Sequence, residues 1–104
     1  MEFVETSFFT RLVTELLEDE SLRQLQNMLI TYPECGRLIR RGGGIRKLRW
    51  ALPEKGKSGG LRIIYYYQSA KDIIYLLYLY PKSKADTMTA SQISQLAKLV
   101  KEIV

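Results

Sequence analysis

Histidine is absent from the 104 residues, and cysteine occurs once. The first absence removes imidazole acid–base chemistry, the commonest route to proton transfer near neutral pH. Without a histidine to activate it, Cys35 reads as a passive loop thiol rather than a nucleophile. A single thiol forms no internal disulfide and fits a reducing compartment, so a cytoplasmic location is expected. One cysteine and no histidine also argue against a zinc site, and no metal or cofactor is expected. No run of 18 apolar residues occurs, so no transmembrane helix is expected. The opening MEFVETSFF carries two acids and no base. It does not read as a signal peptide, and no membrane partner is expected. Internal repeats and low-complexity segments are also missing. The length fits one domain over residues 1–104, and a hydrophobic content of 46% is enough for a core.

Acids are scarce beyond residue 34. Residues 1–34 hold seven acids and two bases, a net of −5, whereas residues 35–104 hold fourteen bases and four acids, a net of +10. The cationic portion is expected to meet a polyanion or an acidic protein. The plain alternative is a solubility surface with no partner.

The apolar spacing predicts the elements. Residues 2–5 form a short strand. Phe9, Leu12, Val13, Leu16 and Leu17 share one helical face, with Thr6 or Ser7 as N-cap. After an acidic turn at Glu18-Asp19-Glu20, a capping box at Ser21–Gln24 opens a second helix with Leu22, Leu25, Met28 and Leu29 on its apolar side. Pro33 ends it. Residues 45–51, 61–68 and 73–80 are rich in Ile, Tyr, Leu and Trp and read as an antiparallel meander. Thr89–Gln92 forms a further capping box, and Ile93, Leu96, Val100 and Ile103 line the last helix. The order β–α–α–β–β–β–α predicts an α+β fold. An N-terminal αα-hairpin and a C-terminal helix pack on one face of a mostly antiparallel sheet.

The richest stretch is GGGIRKLRWALPEKGKSGGLRIIYYY, residues 42–67. Six cations, Arg46, Lys47, Arg49, Lys55, Lys57 and Arg62, surround a glycine-rich loop, and only Glu54 offsets them. Lys/Arg charge and free backbone N–H groups together suit phosphate binding. Strand alternation puts Leu48 and Trp50 toward the helices and Lys47 and Arg49 on the other face. The same pair would also suit an ordinary solvated sheet face. Arg62 enters the most hydrophobic strand, where arginine requires either a neutralising acid or a use in a site.

This order of elements and motifs resembles the RelE/HigB superfamily of toxins from bacterial toxin–antitoxin pairs. The carriers are an αα-hairpin, then GG-x-RK-x-R, then the run Lys55–Tyr66 (KGKSGGLRIIYY), then a strand ending L-x-Y-x-K. The similarity spans essentially the whole chain, is densest from Gly43 to Lys84, and points to the HigB-type branch. It implies a microbial-RNase-like fold and ribosome-dependent, metal-independent cleavage of mRNA in the A site. It also implies neutralisation by a cognate antitoxin protein, so antitoxin, ribosome and mRNA are the expected partners. Carried over position by position, it assigns catalytic roles to Lys47, Arg49 and Arg62, and to Lys82 or Lys84 after the last strand. Relatives place a tyrosine or histidines near that last segment; this chain has Ala85-Asp86-Thr87-Met88-Thr89 there and no histidine at all.

The chemistry suits these residue types. Arg62 and Arg49 can bind phosphate oxygens bidentately and remain charged. Lys47, Lys82 and Lys84 are candidates for proton transfer, which neighbouring cations promote by favouring a neutral amine. Arg46, Lys55 and Lys57 are expected to contact RNA backbone, the plain alternative for Lys55 and Lys57 being to keep the loop soluble. Tyr65 and Tyr66 point to opposite faces, so at most one lines the site, and Tyr66 is the candidate for stacking a base. Two alternatives remain: a non-catalytic RNA- or DNA-binding module, and an interaction protein whose basic surface docks an acidic antitoxin.

Overall fold

The computed structural model describes residues 1–52, 60–84 and 87–103. Five strands and three helices follow the order β1 (Glu2–Glu5), α1 (Ser7–Leu16), α2 (Asp19–Thr31), β2 (Arg37–Leu38), β3 (Arg46–Trp50), β4 (Leu61–Gln68), β5 (Ile73–Pro81) and α3 (Ala90–Ile103). The sheet runs β1-β5-β4-β3-β2, with β1 parallel to β5 and every other pair antiparallel. The α+β architecture expected from the element order is therefore present.

Local chemistry accounts for the helix starts. Thr6 caps α1: its Oγ1 accepts from the Phe9 N–H at 3.0 Å and donates to the Leu77 carbonyl at 2.7 Å. At α3 the Thr89 box closes in both directions, through Gln92 N–H to Thr89 Oγ1 at 3.1 Å and Thr89 N–H to Gln92 Oε1 at 2.9 Å. The Ser21 box does not form. α2 begins two residues earlier, with Glu18 as an N-cap that makes no side-chain cap bond. Asp19 and Glu20, read as part of a turn, instead fill its first turn, where negative charge meets the positive end of the helix dipole.

The expectation of helices on one sheet face is corrected. Phe9 and Val13 of α1 and Leu25 and Leu29 of α2 pack with Leu48, Leu61, Ile63, Tyr65, Ile74, Leu76 and Leu79. A second core lies on the opposite side, where Val100, Ile93, Leu96 and Leu99 of α3 meet Ile45, Ile64, Tyr75 and Leu77. A sheet flanked on both sides needs strands that are apolar in both directions, and Leu61–Tyr65 are buried without interruption. Ile103, placed on the apolar side of α3, is exposed, as is Met28 of α2.

Two features shape the end of the sheet that carries the cations. The register steps from Ile64↔Tyr78 to Tyr65↔Leu76, so Leu77 is an extra residue that kinks β5. Gly60 leads into β4 at φ +64, and a Cβ there would collide with the Trp50 carbonyl oxygen. Only glycine lets the chain leaving β3 and the chain entering β4 pass this closely.

Candidate functional site

The register of β3, β4 and β5 assembles a row across three strands. Arg49 pairs with Arg62, and Arg62 pairs with Tyr80. Partners directly opposite in an antiparallel sheet project to the same face, so both guanidinium groups and the Tyr80 ring lie side by side. Lys47, opposite Ile64, is one pair further along the same face. Leu48 and Trp50 project the other way, into the core beneath α1 and α2.

Burial separates the two arginines. Arg49 is exposed, whereas Arg62 is 4% exposed, with Nη1 donating to the Leu61 carbonyl at 3.3 Å. Like charges directly opposed on adjacent strands are destabilising. Neither Lys47 nor Arg49 makes an ion pair among the described residues. This end of the sheet thus holds converging positive charge above a buried guanidinium. Such an arrangement can bind a phosphodiester and stabilise additional negative charge on it.

A cavity of about 270 Å³ opens beside the row and is lined by Tyr78, Tyr80, Pro81, Lys84, Met88 and Glu15, among others. Lys84 and Tyr80 therefore line the same cavity. Lys82 is exposed at the end of β5, where its N–H donates to the Gly60 carbonyl at 3.0 Å.

A family model described as the RelE toxin of the RelE/RelB toxin–antitoxin system matches residues 3–104. The chain belongs to the RelE toxin family. A structure of the E. coli toxin RelE, a mutant in the free state, superposes with a TM-score of 0.59 at 18% identity, covering 99% of this chain and 97% of that one. At that identity the similarity establishes the fold. It agrees with three helices packed on a five-stranded, mostly antiparallel sheet.

Within this RelE-family toxin, the structure brings Lys47, Arg49 and Arg62 together and places Lys82 and Lys84 at the adjoining end of β5. It does not bring Arg46 to them. Arg46 projects to the α1/α2 face, where Nη1 donates to the carbonyls of Gly36 at 2.8 Å and Glu34 at 3.1 Å and Nη2 meets Glu34 Oε2 at 3.3 Å. Tyr66 is half-buried on the α3 side, its ring 6.4 Å from that of Tyr75. It stands four residues along β4 from Arg62, roughly 13 Å away. Lys55 and Lys57 lie outside the described residues.

Tyr65 occupies the helix-side core. Its hydroxyl donates to the Pro33 carbonyl at 2.9 Å and accepts from the Gly36 N–H at 2.8 Å. Burial is the main reason its pKa is pushed up to about 12. It is a structural latch, while Tyr80 is the tyrosine that stands in the arginine row. Sequence reasoning missed Tyr80 because only the strand register, including the extra residue at Leu77, sets it opposite Arg62.

Proposed function

We propose that this RelE-family toxin, of the HigB-type branch, is a ribosome-dependent, metal-independent endoribonuclease that cuts mRNA. The observation that carries the reading is Arg62, buried at 4% exposure and directly opposite Arg49 on a face that also holds Lys47. That geometry suits the requirements of RNA transesterification. The 2′-hydroxyl attacks the adjacent phosphorus, charge accumulates on the phosphoryl oxygens, and the 5′-oxygen leaves with a proton. Arg49 and Arg62 stabilise the accumulating charge. Lys47, Lys82 and Lys84 are the groups within this cationic end to accept and return protons. The Lys55–Tyr66 motif supports the branch assignment. A cognate antitoxin restrains the enzyme by covering Lys47, Arg49 and Arg62 or by barring the ribosome from them, a pairing that charge complementarity favours.

Expression of the chain alone, followed by mapping of cellular mRNA ends, tests the reading. The expected result is halted protein synthesis with transcripts cut inside translated regions. Intact transcripts with normal synthesis overturn it. Salt-dependent RNA binding without cleavage points instead to a non-catalytic binding module.

A further inference from the structure

The cationic face extends beyond the residues assigned above. β2 is two residues long, and its register sets Arg37 directly opposite Lys47. Arg37 therefore projects to the same face as Lys47 and Arg49. The three residues line a depression of about 260 Å³ together with Cys35 and Leu48, and among the described residues no acid lines it. Arg37 is exposed and makes no ion pair among the described residues.

The backbone leading to Arg37 is firmly held. Tyr65 fastens Pro33 and Gly36 from the core side, and Arg46 binds the carbonyls of Glu34 and Gly36. Gly36 is buried, and a Cβ there would collide with the Tyr65 ring and hydroxyl. A short edge strand carries one arginine, and four contacts fix its approach. Three cations gathered with no acid among the described residues beside them repel one another. An anion in the depression reverses that cost.

We infer that Arg37, Lys47 and Arg49 form a phosphate subsite that grips the mRNA backbone beside the scissile position. Arg37 lies two strand spacings from Arg62, roughly 10 Å across the sheet. It serves as a binding and positioning residue for a neighbouring phosphate, not as a catalytic one. This inference rests on the reading of the basic face as an RNA-cleaving surface.

Cys35, the only thiol in the chain, lines the depression and reports on it without an activity assay. Its rate of modification by a dianionic aromatic disulfide is compared with that by neutral iodoacetamide. Arg37→Ala should lower the anionic-to-neutral rate ratio severalfold, and Arg37→Lys should restore most of it. A purely structural role for Arg37 would change both rates together and leave the ratio alone. A short single-stranded oligoribonucleotide should protect the wild-type thiol from iodoacetamide. In Arg37→Ala, the slope of log affinity against log salt should become shallower by about 0.7, one phosphate contact on a single strand. An unchanged ratio together with an unchanged slope overturns the subsite. If wild-type protein fails to cut mRNA on ribosomes while ratio and slope both respond to Arg37, the catalytic reading fails and the anion subsite stands.

Discussion

At the scale of single residues, the opposition of Arg49 and Arg62 separates function from stability. Arg49 is exposed, and surface substitutions usually change stability by no more than about 0.5 kcal/mol. Arg49→Ala is therefore expected to unfold at nearly the same urea concentration while cutting RNA more slowly. A variant that loses stability and keeps its activity would contradict the assignment. Arg62→Ala removes a charge contact in the transition state and should cost about a hundredfold or more in cleavage rate. Because the Arg62 stem is buried, Arg62→Lys serves as the companion variant: it retains a charge but not the bidentate fork. Thermal unfolding should show it folded, and single-turnover cleavage should show it strongly impaired. Tyr65 makes a different prediction. The folded chain holds its phenol proton up to about pH 12, whereas the unfolded chain releases it near 10.0. Its contribution is fully present below pH 10 and is lost as pH rises through about 12. Denaturation measured across that window should show the decline. Tyr65→Phe should flatten it while costing about 1–3 kcal/mol at neutral pH, since Gly36 N–H is left unmatched.

At the scale of elements, Thr6 is the most connected cap. It closes the first turn of α1 and also donates to the carbonyl of Leu77, the extra residue in β5. Thr6→Ala should cost about 1–2 kcal/mol in equilibrium unfolding. A cost near zero would show that water replaces both bonds. Much of the element plan was legible in the sequence because it rests on local pattern. The bounds of β1 and β4 and the Thr89 box follow from residue types within a few positions, and the same reading narrowed the cap of α1 to Thr6 or Ser7. The Ser21 box misled because serine and glutamine have the right spacing, yet Asp19 and Glu20 prolong the helix toward Glu18. β2 escaped notice because two residues carry no periodicity, and Arg37 escaped with it. The face chosen by α3 was not legible either. Its apolar stripe fits both sides of a sheet whose central strands are apolar in both directions. For the site, Lys47, Arg49 and Arg62 were readable from alternation, which is local. Tyr80 depended on pairing across strands and on a bulge, whereas Arg46 follows the same alternation onto the Leu48 face, opposite Tyr65.

At the scale of the whole molecule, the net −5 of residues 1–34 and the net +10 of residues 35–104 meet in one fold, with Lys47, Arg49 and Arg62 together on the face opposite α1 and α2. Among the described residues no helix is long and apolar enough to cross a membrane. Membership of a toxin–antitoxin family implies an antitoxin partner. Co-expression with that antitoxin should restore growth and yield a complex that survives purification, with Cys35 in the cationic depression shielded from alkylation when the basic face is covered. A complex that leaves Cys35 fully reactive would place the antitoxin elsewhere and make inhibition steric. The most direct measurement is of cleavage itself. Purified toxin is added to ribosomes stalled on a defined mRNA in metal-chelated and untreated parallel samples whose ribosomes remain intact, and the RNA ends are mapped by primer extension. The account predicts a cut at the A-site codon that needs the ribosome, persists when metals other than those holding the ribosome together are removed, and disappears with Arg62→Ala. Cleavage of the free mRNA at equal rate, or undiminished cutting by a folded Arg62→Ala protein, would contradict it.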